Sequence, residues 1–163
     1  MTMKRFKDVN EALALFEYYE KKGSEALDQY GDSKTFNRCQ ESIVKIIAYL
    51  KCNDSVYLLE RFHNHLNIAV RIEAALYTLP LDEKKSLKIL QDVAKSGSKR
   101  AFEAEWIIKR WKKEDLKPYL IGLCTNQEVP EMKIKKNALK ELVYRVLINV
   151  GLVACKENQD KEK

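Results

Sequence analysis

The stretch that decides the fold spans residues 67–111 and reads NIAVRIEAALYTLPLDEKKSLKILQDVAKSGSKRAFEAEWIIKRW. It predicts three consecutive helices separated by very short turns. Pro80 ends the first helix, because the residue before a proline is pushed out of the α region, and the Ser-Gly pair at 96–97 ends the second. Each helix follows a polar residue whose side-chain oxygen can accept from an unpaired backbone N–H. These expected N-caps are Asn67, Asp82 and Ser98.

The first of these helices is apolar on two sides. At about 100° per residue, the apolar side chains fall into two sets that lie roughly opposite each other. The sets are Ile68, Ile72, Ala75 and Leu79, and Val70, Ala74 and Tyr77. A helix with two apolar sides is covered on both, so we predict an inner helix of a layered stack. Helices joined by such short turns form α-hairpins, which bury their apolar stripes by stacking.

Apolar residues at helical spacing predict further helices on both sides of this stretch. Helices at 9–30, 33–52 and 55–65 precede it, and helices at 118–123 and 131–155 follow it. The fold class is therefore all-α, a right-handed stack of antiparallel helix pairs with about 7–8 helices. Gly23 marks either a break or a close crossing in the first helix. The last helix is apolar nearly all round in its C-terminal half, so we expect it to pack on this chain or on another one.

The composition of the 163 residues is that of a globular protein, with 45% hydrophobic and 33% charged residues. Four cysteines occur without a C-x-x-C pair, so we interpret them as small buried hydrophobic residues in a reducing compartment. They are Cys39, Cys52, Cys124 and Cys155. The first residues lack a signal-peptide core, and the longest apolar run is too short to span a bilayer. We expect a soluble cytoplasmic protein that does not contact a membrane.

No catalytic or metal chemistry is legible in the sequence. His63 and His65 stand two residues apart, a spacing that does not share a helical face. The acidic residues are scattered over predicted solvent faces, the serines occupy caps and turns, and no glycine-rich phosphate loop occurs. We therefore predict no catalytic residue, no cofactor and no metal ion, and not an enzyme.

The net charge of +6 is unevenly distributed. Residues 1–80 carry 11 basic and 11 acidic side chains, whereas residues 84–113 alone carry 10 basic and 3 acidic ones. Such an asymmetry indicates an electronegative partner. The alternative is a lysine-rich solvated face that serves solubility.

The pairing of YLLERFHNHLN with IAVRIEAALYTL resembles a HEAT-type repeat. Residues 9–118 are more specifically similar to an uncharacterised bacterial family of HEAT-like helical domains, a domain of unknown function with the core pattern LLxxFxxHxNxxVRxxAAxxxL. The matching positions are Leu58, Leu59, His65, Asn67, Val70, Arg71, Ala74, Ala75, Leu79, Leu87, Leu90, Ala94, Ala104 and Trp111. The chain departs from the family after Trp111, where the pattern leads us to expect a glycine and the sequence has Lys112-Lys113-Glu114.

The resemblance implies one helical-repeat domain over residues 1–163. It would have a HEAT-like core at 9–118, covering helices at 119–155 and a charged tail at 156–163. It implies no activity, cofactor or catalytic residue. Small members of such families look like proteins that bind a cognate partner, including immunity proteins that neutralise a toxin.

The predicted helix at 98–111 carries the candidate partner-binding residues. Phe102 and Trp106 lie opposite its core face, among cations. The cations are Lys99, Arg100, Lys109, Arg110 and Lys113. Aromatic rings among cations suit base stacking with phosphate contacts or a hot spot for a protein partner. Alternatively, the last helix covers both aromatic rings.

Three residues have predicted structural roles. Asn67 is the expected cap, and Trp111 belongs to the core face of its helix. Arg71 is expected to link neighbouring turns through a backbone carbonyl or through Asp54, Glu73 or Asp82. In addition, His65 is expected to contact the turn at Asn67.

Two functions remain open from the sequence. The first is a protein-binding module, most concretely a bacterial immunity protein that neutralises a cognate toxin. Its basic half would face an acidic patch, whereas a basic nuclease toxin would suit the acidic residues of the neutral half. Those residues are Glu17, Glu20, Asp28 and Asp32. The second is a HEAT-like nucleic-acid-binding module that uses residues 84–113.

Overall fold

A computed structural model describes residues 6–127, which all fall within one compact unit. Over this range the chain forms six α-helices and one 3₁₀ helix, and none of the described residues forms a strand. The helices are α1 Val9–Tyr30, α2 Ser33–Cys52, the 3₁₀ helix Val56–Phe62, α3 Ile68–Thr78, α4 Glu83–Lys95, α5 Ala101–Lys112 and α6 Lys117–Cys124. The all-α prediction is confirmed. The predicted last helix at 131–155 and the tail at 156–163 lie outside the described residues.

Side-chain caps set most of the helix starts. Asp8, Asp32, Asn67 and Asp82 each accept from backbone N–H groups of the first turn of α1, α2, α3 and α4. The cap predicted at Ser98 is wrong, since Arg100 is the N-cap residue and α5 begins at Ala101. The Ser98 carbonyl accepts from the Ala101 N–H in a further turn, so the helix starts later than the side-chain pattern indicated.

The α-helix predicted at 55–65 is wrong in type, because the chain forms the 3₁₀ helix Val56–Phe62 there. The Ser55 hydroxyl donates to the Asn53 carbonyl and gives the helix no side-chain cap. A short segment without a cap gains little from α-helical hydrogen bonds. Packing of Val56, Leu59 and Phe62 into the core holds the segment in place.

Helix α3 lies at the centre of the described residues, as predicted for an inner helix. It contacts the 3₁₀ helix, α4, α1 and α6. Eight of its 11 residues are buried. The aromatic ring of Tyr77 is fully buried and meets Phe16 of α1 edge-on, with 6.4 Å between ring centroids.

Helices α1 and α2 cross closely at Gly23. Helix α1 is continuous through this residue, so the glycine marks a crossing and not a break. A Cβ at Gly23 would lie 3.1 Å from Cys39 Cβ and 3.5 Å from the Phe36 ring. The shorter distance is tighter than an ordinary van der Waals contact, so Gly23 favours this close crossing although glycine lowers helix propensity.

The chain after α5 turns through a left-handed residue. Glu114 has φ +63°, a conformation that costs a side chain more than it costs glycine. It lies in the segment after Trp111 where the family resemblance predicts a glycine. In this chain a glutamate makes the turn.

Candidate functional site

The outer face of α5 carries the aromatic residues singled out from the sequence. Phe102 is 47% exposed and Trp106 is partly exposed. The Arg110 guanidinium lies over the Trp106 ring, 5.3 Å from its centroid, and its Nε is 3.0 Å from an oxygen of Asp115. Stacking and the ion pair hold Trp106 and Arg110 in one arrangement, which lowers the entropy lost when a partner binds.

The predicted cations divide into two sets. Lys99, Lys109 and Lys113 are exposed, and within residues 6–127 none of them forms an ion pair. Arg100 instead points into the molecule, where its side chain is 15% exposed. The α5 surface, defined here as Phe102, Trp106, Lys109, Arg110 and Lys113 with Lys99 at its edge, therefore does not include Arg100.

Arg100 joins α5 to α1. One nitrogen of its guanidinium donates to both carboxylate oxygens of Asp28, at 3.1 and 3.0 Å, and another donates to Glu103 at 2.8 Å. Each contact is a charge-assisted hydrogen bond, stronger than one between neutral groups. The hydrogen bonds of the guanidinium therefore go to the carboxylates of Asp28 and Glu103.

Two further carboxyl groups lie in this region without a full set of partners. Glu20 of α1 is 3% exposed. One carboxyl oxygen of Glu20 and one of Glu73 are buried and have no hydrogen-bond partner in the described part of the chain. Burial, together with the neighbouring charge of Glu103 and against the opposing effect of Arg100, raises the pKa of Glu73 to about 8. Burial, with the charges of Glu73 and Glu103, also raises the pKa of Glu20 well above its usual range.

The sequence interpretation missed these carboxyl groups. It placed the acidic residues on solvent faces and offered Glu20 as part of a partner-facing acidic set. That expectation is wrong for Glu20, because the residue is buried. The sequence contains a partial signal that these residues are buried. Glu20 is one helical turn from the apolar Phe16, and Glu73 lies on α3, the helix with apolar residues on two sides.

The other members of that acidic set are already engaged. Glu17 forms an ion pair with Lys21 and accepts a hydrogen bond from His65, and Asp28 binds Arg100. Asp32 caps α2, and its hydrogen bonds from Thr35 hold the pKa of its carboxyl below the usual range. These four residues do not form a free acidic surface.

Arg71 and Asn67 hold the turn before α3. The Arg71 Nε and Nη2 groups donate to the His65 carbonyl at 3.1 and 2.7 Å. Asn67 Oδ1 accepts from the Ala69 and Val70 N–H groups. The Asn67 N–H donates to His65 Nδ1, so Nε2 of that ring carries its proton and donates to Glu17 at 3.0 Å. Every polar contact here fixes the backbone or joins it to α1.

A second buried polar cluster lies where the 3₁₀ helix, α3 and α4 meet. The Thr78 hydroxyl donates to the Ala74 carbonyl at 2.8 Å and lies 2.9 Å from both His63 Nε2 and Ser86 Oγ. A hydroxyl has one proton, so His63 and Ser86 must both donate to Thr78. Burial lowers the pKa of His63 below its usual value, which keeps the ring neutral. His63 is thus part of the packing and not of an exposed site.

The described residues contain grooves but no metal centre. One groove of about 460 Å³ is lined by residues that include Lys51, Tyr57 and Asn126, and another of about 400 Å³ by residues that include Ser24, Asp28 and Lys99. In residues 6–127 no three His, Cys, Asp or Glu side chains could hold a metal ion. No helix of this range is long and apolar enough to cross a membrane.

The cysteines fulfil the prediction in part. Cys39 and Cys124 are buried free thiols, and burial raises the pKa of Cys124 to about 12. Cys52 is exposed, so the prediction of burial is wrong there, because the residue lies at the end of α2. Cys155 lies outside the described residues.

Comparisons with known proteins identify no relative of this chain. No family model matches the chain, and no similar chain was found among curated proteins or solved structures.

Proposed function

We propose that this chain is a non-enzymatic protein-binding module built from HEAT-like helix pairs. Its proposed role is that of a cytoplasmic bacterial immunity protein that neutralises a cognate toxin by direct binding. The observation that carries the proposal is the α5 surface, where an exposed phenylalanine lies beside a tryptophan already stacked by an arginine. Tryptophan and arginine are enriched among residues that dominate binding energy at protein interfaces.

The charge of this surface selects the kind of partner. Lys99, Lys109 and Lys113 are exposed without ion pairs among residues 6–127. Such a surface fits an acidic patch, because complementary charge speeds encounter and disfavours wrong partners. The acidic residues considered for a basic toxin are buried, paired or used as a cap. An acidic surface on the toxin is therefore the better match.

Co-expression tests the proposal. The product of the neighbouring gene is expressed with this chain, and protection from toxicity and complex formation are measured. We expect F102A/W106A to weaken the complex by at least about tenfold, since each hot-spot truncation costs more than about 1 kcal/mol. The matched control is Y18A/Y30A, which removes two exposed aromatic rings from α1. No complex with the wild-type chain, or equal losses in both variants, would contradict the proposal.

A nucleic-acid-binding module is the second candidate. The observation that favours it is a set of exposed lysines on α4, α5 and their flanking turns. They are Lys84, Lys88, Lys95, Lys99, Lys109, Lys112 and Lys113. Binding to a short DNA duplex, followed by fluorescence anisotropy, would then weaken steeply with salt. The log–log slope would fall by about 0.9 for each phosphate-contacting lysine replaced by alanine. Absence of binding at low salt would exclude this candidate.

A further inference from the structure

Helices α1, α3 and α5 bring four acidic side chains around one arginine. Glu20 and Asp28 come from α1, Glu73 from α3 and Glu103 from α5, and Arg100 precedes α5. We call Glu20 and Glu73 the carboxyl pair. Its members act on each other electrostatically, and Glu103 and Arg100 act on both.

Arg100 cannot neutralise the carboxyl pair. Its guanidinium hydrogen bonds go to Asp28 and Glu103. Among residues 6–127, the other groups that face the pair are Tyr77 of α3, Cys39 of α2 and Tyr119 of α6. All three are neutral in their protonated forms, and burial raises the pKa of each. Asp28 is partly exposed, but Glu20, Glu73 and Glu103 as carboxylates would still leave an excess of negative charge around one guanidinium.

The missing hydrogen bonds also indicate that the carboxyl pair is protonated. Glu20 Oε1 and Glu73 Oε2 are buried and have no donor among residues 6–127. An ionised oxygen buried without a donor costs several kcal/mol, so such groups take up a proton instead. Protonation removes the charge and turns one carboxyl oxygen into an O–H donor.

We propose that the carboxyl pair is a pH-sensitive latch between α1, α3 and α5, which holds protons at neutral pH and loosens when alkaline conditions remove them. The latch follows from the fold and does not rest on the proposed function. When the pair ionises, its charge repels Glu103, the residue that joins Arg100 to α5. The first effect is therefore expected on the packing of α5 against α1 and α3.

The pKa shifts give the pH window. Burial raises the pKa of Glu73 from 4.5 to about 8, and that of Glu20 is raised as well. A folded-state pKa above the unfolded one means that the native chain binds more protons than the unfolded chain. The stabilisation is complete below about pH 4.5 and is lost as the pH rises to about 8. For each such group the unfolding constant rises by up to about tenfold per pH unit in this window.

Urea unfolding at several pH values tests the latch with E73Q and E20Q, which keep the side-chain shape without the ionisation. We expect the ratio of unfolding constants, wild type over E73Q, to rise about a hundredfold from pH 5.5 to 7.5. The control E25Q removes an exposed carboxylate from α1. A ratio independent of pH, or the same change in E25Q, would overturn the proposal.

A second measurement needs no folded variant. Wild-type protein labelled with carbon-13 at the glutamate carboxyl carbons is titrated by NMR. We expect at least one signal to keep the chemical shift of the protonated form at pH 7 and to lose it in the alkaline range. At the same pH, amide exchange of α5 should quicken at least tenfold more than that of α2. If every glutamate signal is ionised at pH 7, or if α5 and α2 respond alike, the latch does not exist.

Discussion

Two polar clusters with buried members lie beside α3, and they are built from opposite kinds of group. The neutral cluster of His63, Thr78 and Ser86 is joined by hydrogen bonds through one hydroxyl. The acidic cluster of Glu20, Glu73, Glu103, Asp28 and Arg100 has ion pairs on one side and carboxyl oxygens without donors on the other.

The difference shows how a small helical core tolerates polar groups. Hydroxyls and a neutral imidazole cost little when each donor finds an acceptor. Carboxylates cost much more, and their protonation state adjusts where partners are too few. The two clusters should therefore differ in the size of their mutational effects and in the sign of their response to pH.

The largest effect is expected where the acidic cluster loses its cation. R100M leaves Asp28 and Glu103 without their guanidinium partner. Removal of one member of a buried ion pair typically costs about 3–5 kcal/mol, and because the Asp28 side chain is 33% exposed to solvent, we expect a loss of about 2–4 kcal/mol. Urea unfolding at pH 7 measures the loss. K99M, a change at the exposed neighbouring residue, should shift stability by less than about 0.5 kcal/mol. Similar losses in both variants would show that Arg100 does not compensate the cluster.

A smaller effect is expected from breaking the neutral cluster at its centre. T78V replaces the hydroxyl of a fully buried residue by a methyl group, and leaves the His63 and Ser86 donors without their acceptor. The cost should be about 1–3 kcal/mol. T78S is the matched control, because it keeps the hydroxyl and loses only the methyl group. If T78S is as destabilised as T78V, packing and not hydrogen bonding accounts for the role of Thr78.

The pH response provides a third test. Burial lowers the pKa of His63 below 6.5, so the native chain binds fewer protons than the unfolded one. The stability that the neutral ring contributes is present above about pH 6.5 and is lost as the pH falls through the lowered pKa. H63Q keeps a donor toward Thr78 and should flatten the acid limb of the stability profile. If the acid limb is unchanged in H63Q, groups other than His63 cause the loss of stability at low pH.

The smallest effect on stability is expected from the replacement of Ser86, and Ser98 provides the comparison. Ser86 Oγ is bonded to Thr78, whereas the buried Ser98 Oγ has no partner among residues 6–127. S86A should cost about 0.5–1.5 kcal/mol, the usual net worth of a hydrogen bond. S98A removes a hydroxyl that makes no bond, so it should leave the unfolding midpoint within error of the wild type. Equal effects would show that the hydrogen bond to Thr78 does not account for the stability lost in S86A.

Much of the fold was predictable from local signals. Capping side chains at Asp8, Asp32, Asn67 and Asp82 mark helix starts because the cap is a local interaction. The two-sided apolar pattern of α3 predicted its central place. The 3₁₀ helix and the late start of α5 were missed, since the turns around Ser55 and Ser98 depend on backbone hydrogen bonds that residue types do not reveal.

The candidate site was predictable only on its outer side. The spacing of Phe102, Trp106 and Arg110 placed them together on one face of α5, where the structure has Arg110 over the Trp106 ring. Arg100 was grouped with them, although it pairs with Asp28, which is 72 residues away in the chain. Glu20 and Glu73 meet through the tertiary packing of α1 and α3, a contact that no pattern within either helix encodes.

The crossing at Gly23 brings α1 and α2 unusually close together. Because a Cβ there would lie 3.1 Å from Cys39 Cβ, an alanine would require its surroundings to shift by a few tenths of an ångström. Glu20 lies one turn away on the same helix. The smallest residue of the chain therefore permits the close approach of α1 and α2 one turn from a member of the carboxyl pair.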